Sequence, residues 1–341
     1  HNAQGRKLTT LEAHDICNQI AEIVVVGGVR RSSQISLSDL SDKEMRHAKD
    51  WPYPIKRAMA NNSAIYRAQP SAAEFLREWA SLALSGTGER GIFNLEAAQS
   101  KAPSRRYAPL IQGTNPCGEI MLRDMQFCNL SEVVVRADDD LDSLLDKVEC
   151  ATWLGVIQSS FTHFPYLRKE WKRHCDVEAL LGVSLTGQGD NPSLMNSEAL
   201  KALKSRVLRI SRKASTIMGT KMPAATTCVK PSGTVSQLVD SASGVHPRFS
   251  EYYIRRYRIA ARDPLFRLMK DSGIKASPEV GQKAKDATTW VLEFPVKSPE
   301  GCVTRKDVTA MEQLKHYKNL QHSWCEHNAS MTVYVRDEEW F

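Results

Sequence analysis

The sequence predicts an α/β protein with mostly parallel strands and helices packed outside them. Segments of helical periodicity alternate with short β-rich runs along the whole chain, which is typical of strand–helix–strand units. The 341 residues, 42% of them hydrophobic, are enough to bury one large core. We therefore expect a single domain over residues 1–341. The expected architecture is either a barrel or a doubly wound sheet, and the sequence contains no internal repeat that would decide between them.

Capping signals locate several of the helices. A Ser or Thr followed three residues later by Glu has capping-box spacing, which marks helix starts at Thr9, Ser41 and Ser71. The first of these helices should run to about Glu22, and the third should end at Gly86, because glycine commonly terminates helices. Apolar periodicity predicts further helices over residues 141–160, 197–218 and 308–325.

The strands are predicted from runs of β-branched and apolar residues between the helices. Such residues pack well on a pleated, half-buried surface. The run at 24–26 consists of three valines and is expected to be a buried strand. The predicted strands cover residues 24–26, 34–37, 181–186, 225–229, 252–261, 290–294 and 331–335.

Composition narrows the class of function. The net charge of +7 suits a protein that handles phosphorylated small molecules, but it is too mild to predict binding to nucleic acid. The chain has no apolar run of 18 residues and no charged-then-apolar leader, so we expect no membrane contact and a cytoplasmic location. Eight dispersed cysteines indicate reduced thiols rather than a disulfide framework.

The most distinctive stretch is the loop around Cys117. An amide, a thiol and a carboxyl group alternate at Asn115, Cys117 and Glu119, and the Pro and Gly between them discourage a helix. In an extended segment alternate side chains point the same way, so all three groups could face one polar substrate. Cys117 would then be a reactive thiol, with Glu119 as a proton acceptor and Asn115 as a hydrogen-bond donor. A buried structural thiol is the alternative interpretation of Cys117.

A second cysteine, Cys128, lies eleven residues after Cys117. This spacing matches neither a zinc ribbon nor a redox Cys-x-x-Cys motif. We expect the two thiols to lie across a hairpin with its turn near Arg123 and Asp124, facing the same ligand from two sides.

A phosphate site is predicted where a short strand gives way to a glycine turn and a helix start. Ser232, Gly233 and Thr234 offer hydroxyl groups and free backbone N–H groups at that point. An ordinary Ser/Thr helix cap is the alternative interpretation. No metal site is predicted, because the one cluster of candidate ligands, His322 with Cys325 and His327, falls short of the four ligands of structural zinc.

Several separated blocks of the chain, taken together, carry a family resemblance. They are Val26–Ser32, Asn115–Glu119, Phe127–Leu130, Lys230–Val235, Ser243–Pro247, Tyr253–Arg256 and Trp324–Asn328. In this order they resemble the catalytic subunit of ribonucleotide reductases, and they look most like the adenosylcobalamin-dependent class II enzymes.

The resemblance implies a fold and a reaction. The fold is a ten-stranded α/β barrel of the ribonucleotide reductase type, with the Cys117 loop as a finger through its middle. Cys117 is expected to become a thiyl radical, with adenosylcobalamin as the cofactor, and to take the 3′ hydrogen of a ribonucleotide. Glu119 is expected to accept the 3′-hydroxyl proton, and Asn115 to bind the ribose hydroxyl groups.

The resemblance also assigns the remaining site residues. Cys128 matches one cysteine of the pair that delivers two electrons and becomes a disulfide, and its partner is expected upstream of His1. Ser232, Gly233 and Thr234 match the residues that bind the substrate phosphates. The partners implied are a thioredoxin-like or dithiol reductant and a nucleotide effector.

Both ends of the sequence look internal to a longer protein. The chain opens at His1 without Met and stops just after the strand-like run at 331–335. We therefore expect an internal fragment without the first barrel strand and the C-terminal region, with a complementing fragment or a second copy as a further partner. Two alternatives stay open: a nucleotide-binding fragment or split subunit that is inactive alone, and a class I reductase large subunit.

Overall fold

The chain folds into two compact units, each built from separate segments of the sequence. One comprises His1–Asn94 and Tyr252–Lys297, and the other comprises Leu95–Glu251 and Ser298–Phe341. The single domain predicted from the sequence stays a prediction. The structure is a computed structural model that describes residues 4–26, 29–30 and 32–339.

Helices and strands alternate along the described residues, which confirms the α/β class. The helices are α1 (Thr10–Glu22), α2 (Lys43–Arg46), α3 (Ala72–Leu84), α4 (Leu95–Ser100), α5 (Leu141–Ser159), α6 (Lys169–Glu178), α7 (Ser197–Met218), α8 (Val235–Leu238), α9 (Pro264–Asp271) and α10 (Ala310–Ser323). The strands are β1 (Val25–Val26), β2 (Val29–Arg30), β3 (Gln34–Asp39), β4 (Ala60–Tyr66), β5 (Gly91–Asn94), β6 (Gly113–Thr114), β7 (Met121–Leu122), β8 (Asn129–Val134), β9 (Leu181–Thr186), β10 (Thr227–Cys228), β11 (Tyr252–Ala260), β12 (Ala276–Pro278) and β13 (Thr289–Lys297).

Two of the three predicted capping boxes are present. Thr9 caps α1 and Ser71 caps α3, and in each case the Glu three residues later bonds back to the cap residue. The prediction for Ser41 is wrong. Asp42 caps α2 instead, because its carboxylate accepts the N–H of Met45 at 2.9 Å.

The first unit holds the antiparallel strand pair β1–β2 and two three-stranded sheets, one parallel and one antiparallel. Strands β3, β4 and β5 pair in parallel in that order, which agrees with the general preference for parallel strands, although β4 and β5 were not predicted. Strands β11, β13 and β12 form an antiparallel sheet, whose long β11–β13 pairing joins Tyr252 to Lys297 and Ala260 to Thr289. The predicted preference for parallel pairing therefore holds for only part of this unit.

The second unit is organised around a parallel sheet with the order β10-β9-β8. Every residue of the central strand β9 is buried, as expected for a parallel strand covered on both faces. Helices α5, α7 and α10 contribute Leu144, Leu203 and Leu320 to the core around this sheet, and all three side chains are fully buried. Strands β6 and β7 form a separate antiparallel hairpin.

Two predicted strands need correction. The strand predicted at 24–26 begins only at Val25, and Val24 is exposed. The segment 331–335 is irregular. Side chains take the place of a strand partner there, since the N–H of Thr332 donates to His246 Nε2 and that of Tyr334 to Gln313 Oε1.

The larger architecture predicted from the resemblance is not confirmed. Within the described residues, the strands form sheets of only two or three members, without a closed ten-stranded barrel. Gly27, Gly28 and Arg31, which belong to one of the resembling blocks, lie outside the described residues. In the described part of the chain, none of the helices combines the length and the apolar character that crossing a bilayer requires.

Candidate active site

The loop that carries Cys117 is the tight turn of the β6–β7 hairpin, so the extended segment assumed from the sequence is wrong. The backbone oxygen of Asn115 accepts the N–H of Gly118 at 2.9 Å, and its side-chain Oδ1 accepts the N–H of Ile120 at 2.9 Å. Gly118 has a φ of +79°, a conformation that strains other residues. Asn115 and Gly118 thus shape the turn that presents Cys117 and Glu119.

Glu119 is the charged residue of the loop, and its side chain is completely buried. Its side chain is 0% exposed, and Oε1 lies 3.1 Å from the ammonium nitrogen of Lys230. Oε2 is buried without a hydrogen-bond partner among the described residues. Because buried polar atoms are nearly always paired, this oxygen is a position at which a ligand hydroxyl group could donate.

Asn328, in the segment that follows α10, donates two hydrogen bonds to the backbone of the loop. The backbone N–H of Asn328 donates to the carbonyl oxygen of Glu119 at 3.0 Å, and its Nδ2 donates to that of Gly118 at 2.8 Å. The hydroxyl group of Tyr317 donates to Asn328 Oδ1 at 2.9 Å, which fixes the orientation of the amide. The loop is therefore fixed by groups about two hundred residues away in sequence.

His327 supports the strand that leaves the loop. Its Nδ1 accepts the N–H of Met121 at 3.3 Å, and Nε2 lies 3.0 Å from the carbonyl oxygen of Leu181 on β9. Burial lowers the pKa of His327 to about 3, with the nearby charge of Arg106 acting in the same direction. The ring is therefore neutral and connects the hairpin to the central strand.

Both thiols of the predicted site have raised pKa values. The Cys117 side chain is exposed, but surrounding protein atoms still desolvate its thiol enough to raise the pKa, and Glu119 adds to the effect. Lys230 acts in the opposite direction on Cys117. Burial raises the pKa of Cys128 further, again with a contribution from Glu119. Both cysteines are therefore thiols at neutral pH, and Glu119 acts electrostatically on both.

Cys128 does not occupy the position predicted from the sequence. The hairpin turns at Cys117 itself, and Cys128 comes after the hairpin, directly before β8. Its side chain packs against a small cluster formed by Leu180, Ala224 and Ala225. The predicted hairpin with its turn near residues 123–124 is therefore wrong, because β7 is the second strand of the β6–β7 hairpin and ends before residue 123.

The three residues of the predicted phosphate turn differ in burial and in hydrogen bonding. Ser232 is buried, and its hydroxyl oxygen accepts the N–H of Ser236 at 3.0 Å, so it acts as a local helix cap. Gly233 and Thr234 are exposed, and the Thr234 side chain makes no capping bond to α8. Ser232 therefore fits the alternative interpretation of an ordinary helix cap, while Gly233 and Thr234 are accessible to a ligand.

Sequence reasoning missed two residues that contact the loop, Lys230 and Asn328. Both lie inside blocks that carried the family resemblance, but no local pattern indicated their contacts. The candidate cluster at 322–327 does not assemble, and the described residues contain no group of three or more His, Cys, Asp or Glu side chains suited to a metal ion.

Comparison with known proteins gives a consistent result. The family model of the ribonucleotide reductase barrel domain matches residues 29–174. Adenosylcobalamin-dependent ribonucleoside-triphosphate reductases from Levilactobacillus brevis and Lactobacillus leichmannii are 29% and 26% identical to this chain, and each alignment covers 99% of it. The resemblance to class II ribonucleotide reductases is confirmed. The chain spans about half the length of these curated relatives, 49% and 50% respectively.

Solved structures of ribonucleotide reductases share the fold. A crystal structure of a B-12 dependent (class II) ribonucleotide reductase has a TM-score of 0.77 at 24% identity, over 99% of this chain and 51% of that chain. The class Id ribonucleotide reductase alpha subunit of Actinobacillus ureae has a TM-score of 0.64 at 15% identity, over 92% of this chain and 66% of its own. At these identities the likeness concerns the fold.

Proposed function

We propose that this chain carries the reaction centre of a class II ribonucleotide reductase, which converts ribonucleotides into 2′-deoxyribonucleotides. One observation carries the proposal: an accessible thiol and a buried carboxyl group with one unpaired oxygen lie on a single tight turn, at Cys117 and Glu119. The relatives are named for ribonucleoside triphosphates, so we take a ribonucleoside triphosphate as the substrate.

The proposed reaction begins at the ribose. Cys117, as a thiyl radical, takes the 3′ hydrogen atom and becomes a thiol, which leaves a radical at C3′. Oε2 of Glu119 accepts the 3′-hydroxyl proton, because it is buried without another partner. The 2′-hydroxyl group takes a proton from a thiol and leaves as water. Asn115, which shapes the turn, would contact the ribose hydroxyl groups.

Two electrons must then reach the sugar, and Cys128 is proposed as one of their two sources. Two thiols become one disulfide, the C2′ position gains a hydrogen, and Glu119 returns its proton to the 3′ oxygen. The 3′ hydrogen then returns from Cys117, which restores the thiyl radical. We expect the partner of Cys128 upstream of His1, where the resemblance puts it. A thioredoxin-like or other dithiol reductant would reduce the disulfide after each turnover.

The protonation state of Cys117 suits this role. Hydrogen-atom transfer needs an intact S–H bond, whereas ionic thiol chemistry needs a thiolate. The raised pKa of Cys117 keeps the proton on sulfur at neutral pH. Its environment therefore favours radical chemistry over attack as an anion.

The relatives' names specify adenosylcobalamin, and we propose the same cofactor here. When bound, this cofactor supplies a radical through homolysis of its cobalt–carbon bond. Cys117 fits such a source because its side chain is exposed at the hairpin turn, where a group outside the chain can reach it.

The substrate phosphates would bind at Ser232, Gly233 and Thr234. Ser232 shapes the turn through its bond to Ser236, and the other two residues are exposed. The proposal also includes the ten-stranded barrel with a central finger loop, which the likeness to the class II crystal structure supports. A nucleotide effector, a cytoplasmic location and a second copy or complementing fragment belong to the same proposal.

The test is deoxynucleotide formation by the natural full-length protein with ribonucleoside triphosphate, a dithiol and adenosylcobalamin. We expect turnover that requires adenosylcobalamin and that disappears in Cys117→Ser. Cys150→Ser, at an exposed thiol on α5, serves as the matched control and should keep full activity. Turnover without adenosylcobalamin would point to the class I alternative, and an active Cys117→Ser would refute the radical role.

A further inference from the structure

Lys230 lies between the two parts of the proposed site. It follows β10, and its backbone N–H donates to the hydroxyl oxygen of Ser184 on the neighbouring strand β9 at 2.9 Å. The next residue, Pro231, opens the turn proposed to bind phosphate. The ammonium group of Lys230 reaches Glu119 Oε1 at 3.1 Å. The backbone of Lys230 is thus anchored to the central sheet while its side chain reaches the hairpin loop.

The two partners of this ion pair differ in burial. The side chain of Glu119 is 0% exposed, and that of Lys230 is 35% exposed. A buried carboxylate is costly unless it is paired, and in the described part of the chain Lys230 is its one ionic partner. Although burial alone would lower the pKa of Lys230, Glu119 and, to a smaller extent, Cys117 and Cys228 together outweigh this, so the pKa is raised and the ammonium group stays charged.

Glu119 also acts on three thiols, none of which offers a positive charge. They are those of Cys117 on the same loop, Cys128 before β8 and Cys228 on β10, and Glu119 contributes to a raised pKa at each of them. These three groups are neutral or, when ionised, would repel a carboxylate. Among the described residues, Lys230 is therefore the one positively charged group that pairs with Glu119.

We propose that Lys230 is a positioning residue that holds Glu119 in its ionised form beside Cys117, so that the free carboxylate oxygen can accept the substrate proton. The catalytic part of this inference rests on the proposed function. The ion pair itself can be tested without turnover, because the charge state of the Glu119–Lys230 pair acts on the ionisation of Cys117.

The first experiment measures that ionisation directly. Cys117 in the natural full-length protein is alkylated with iodoacetamide across a pH series, and the modified peptide is quantified by mass spectrometry. In Lys230→Met the alkylation rate at neutral pH should rise, because the carboxyl group loses its charge together with the ammonium group, and Glu119 raises the pKa of Cys117 more than Lys230 lowers it. In Glu119→Gln the rate at neutral pH should rise in the same way. An unchanged or lower rate in Lys230→Met would overturn the proposal, because Glu119 would then keep its charge without Lys230.

The second experiment measures turnover against pH. Without the ammonium group, the buried carboxyl group would take up a proton, so the acid limb of the profile should move to higher pH in Lys230→Met. At neutral pH kcat should fall roughly 100-fold, the scale of general acid–base catalysis, with a smaller change in KM. Lys230→Arg keeps the charge and should restore most of kcat. A profile that keeps its shape in Lys230→Met would contradict the role.

Controls separate this inference from loss of fold and from failure of the proposed function. Lys201→Met, at an exposed lysine on α7, should leave the activity and the Cys117 alkylation rate unchanged. Circular dichroism and melting temperature show whether Lys230→Met folds, and Lys230→Gln is used if it does not. A wild-type protein without reductase activity, whose variants show the expected alkylation rates, would refute the proposed function and keep the ion-pair role.

Discussion

The hairpin loop 115–120 and the turn 231–234 are built differently, although the proposed reaction needs both. The loop is fixed by its own turn, by Asn328 and by the ion pair between Glu119 and Lys230. The turn exposes Gly233 and Thr234 before a helix of only four residues. Reacting groups gain most from being held in position before the substrate arrives, whereas a phosphate anchor must stay accessible. Mutations in the two regions should therefore have different consequences.

The largest effect in this comparison is expected from Asn328→Ala. It removes the donor to the Gly118 carbonyl oxygen and the acceptor for the Tyr317 hydroxyl group. Leaving these polar groups unpaired should lower the free energy of unfolding by about 1–3 kcal/mol, measured by urea denaturation. Because the loop would shift, kcat should fall roughly 100-fold, the cost of a misplacement of about 1 Å.

Asn328→Asp is the matched control for this variant. It keeps an acceptor for Tyr317 but cannot donate to the Gly118 carbonyl oxygen, so it isolates one of the two bonds. We expect kcat for Asn328→Asp to fall as in Asn328→Ala, with a smaller loss of stability. Wild-type kcat in both variants would show that the loop does not need this support.

A smaller effect, of a different kind, is expected from Thr234→Ala. Thr234 is exposed and makes no capping bond, so the free energy of unfolding should change by less than about 0.5 kcal/mol. Loss of one hydrogen bond to a charged phosphate should raise KM about 10-fold while kcat stays nearly constant.

Ser232→Ala provides the contrast to Thr234→Ala within the same turn. Because its hydroxyl oxygen caps the short helix, this variant should lose about 1 kcal/mol of stability. A KM for Thr234→Ala equal to that of the wild type would show that Thr234 does not bind the substrate phosphate.

The last effect is confined to acid pH and concerns the contribution of His327 to stability. The pKa of this buried ring is about 3 in the folded protein, below the value of about 6.5 for an unperturbed histidine. The unfolded state therefore binds the extra proton first, and stability is lost as pH falls from about 6.5 towards 3, by at most about 1.4 kcal/mol per pH unit. His327→Gln, which offers an acceptor and a donor without titrating, should show a shallower loss. Equal slopes in urea denaturation would exclude His327 as the cause.

Most helices could be predicted from the sequence because their signals are local. The capping boxes of α1 and α3 and the whole extent of α7 depend on residues within a few positions of each helix end. The run at 331–335 was predicted as a strand from the same kind of local signal. Its backbone N–H groups instead bond to the side chains of His246 and Gln313, and such distant partners leave no trace in the local pattern.

The candidate site was predictable in its chemistry and not in its geometry. The alternation of Asn115, Cys117 and Glu119 indicated a reactive loop, and these residues do share one turn. Its supports, Lys230 and Asn328, lie more than a hundred residues further along the chain. Only the fold brings them to the loop, so their contacts could not be predicted. The family resemblance identified the segments that contain them without indicating what they touch.

The most direct test of the central claim uses a ribonucleoside triphosphate deuterated at the 3′ position. With adenosylcobalamin and a dithiol, the natural full-length protein should form deoxynucleotide more slowly from the deuterated substrate than from the ordinary one, because Cys117 must break the 3′ carbon–hydrogen bond. Cys117→Ser should form none from either substrate. Equal rates with the two substrates, together with turnover by Cys117→Ser, would contradict the account.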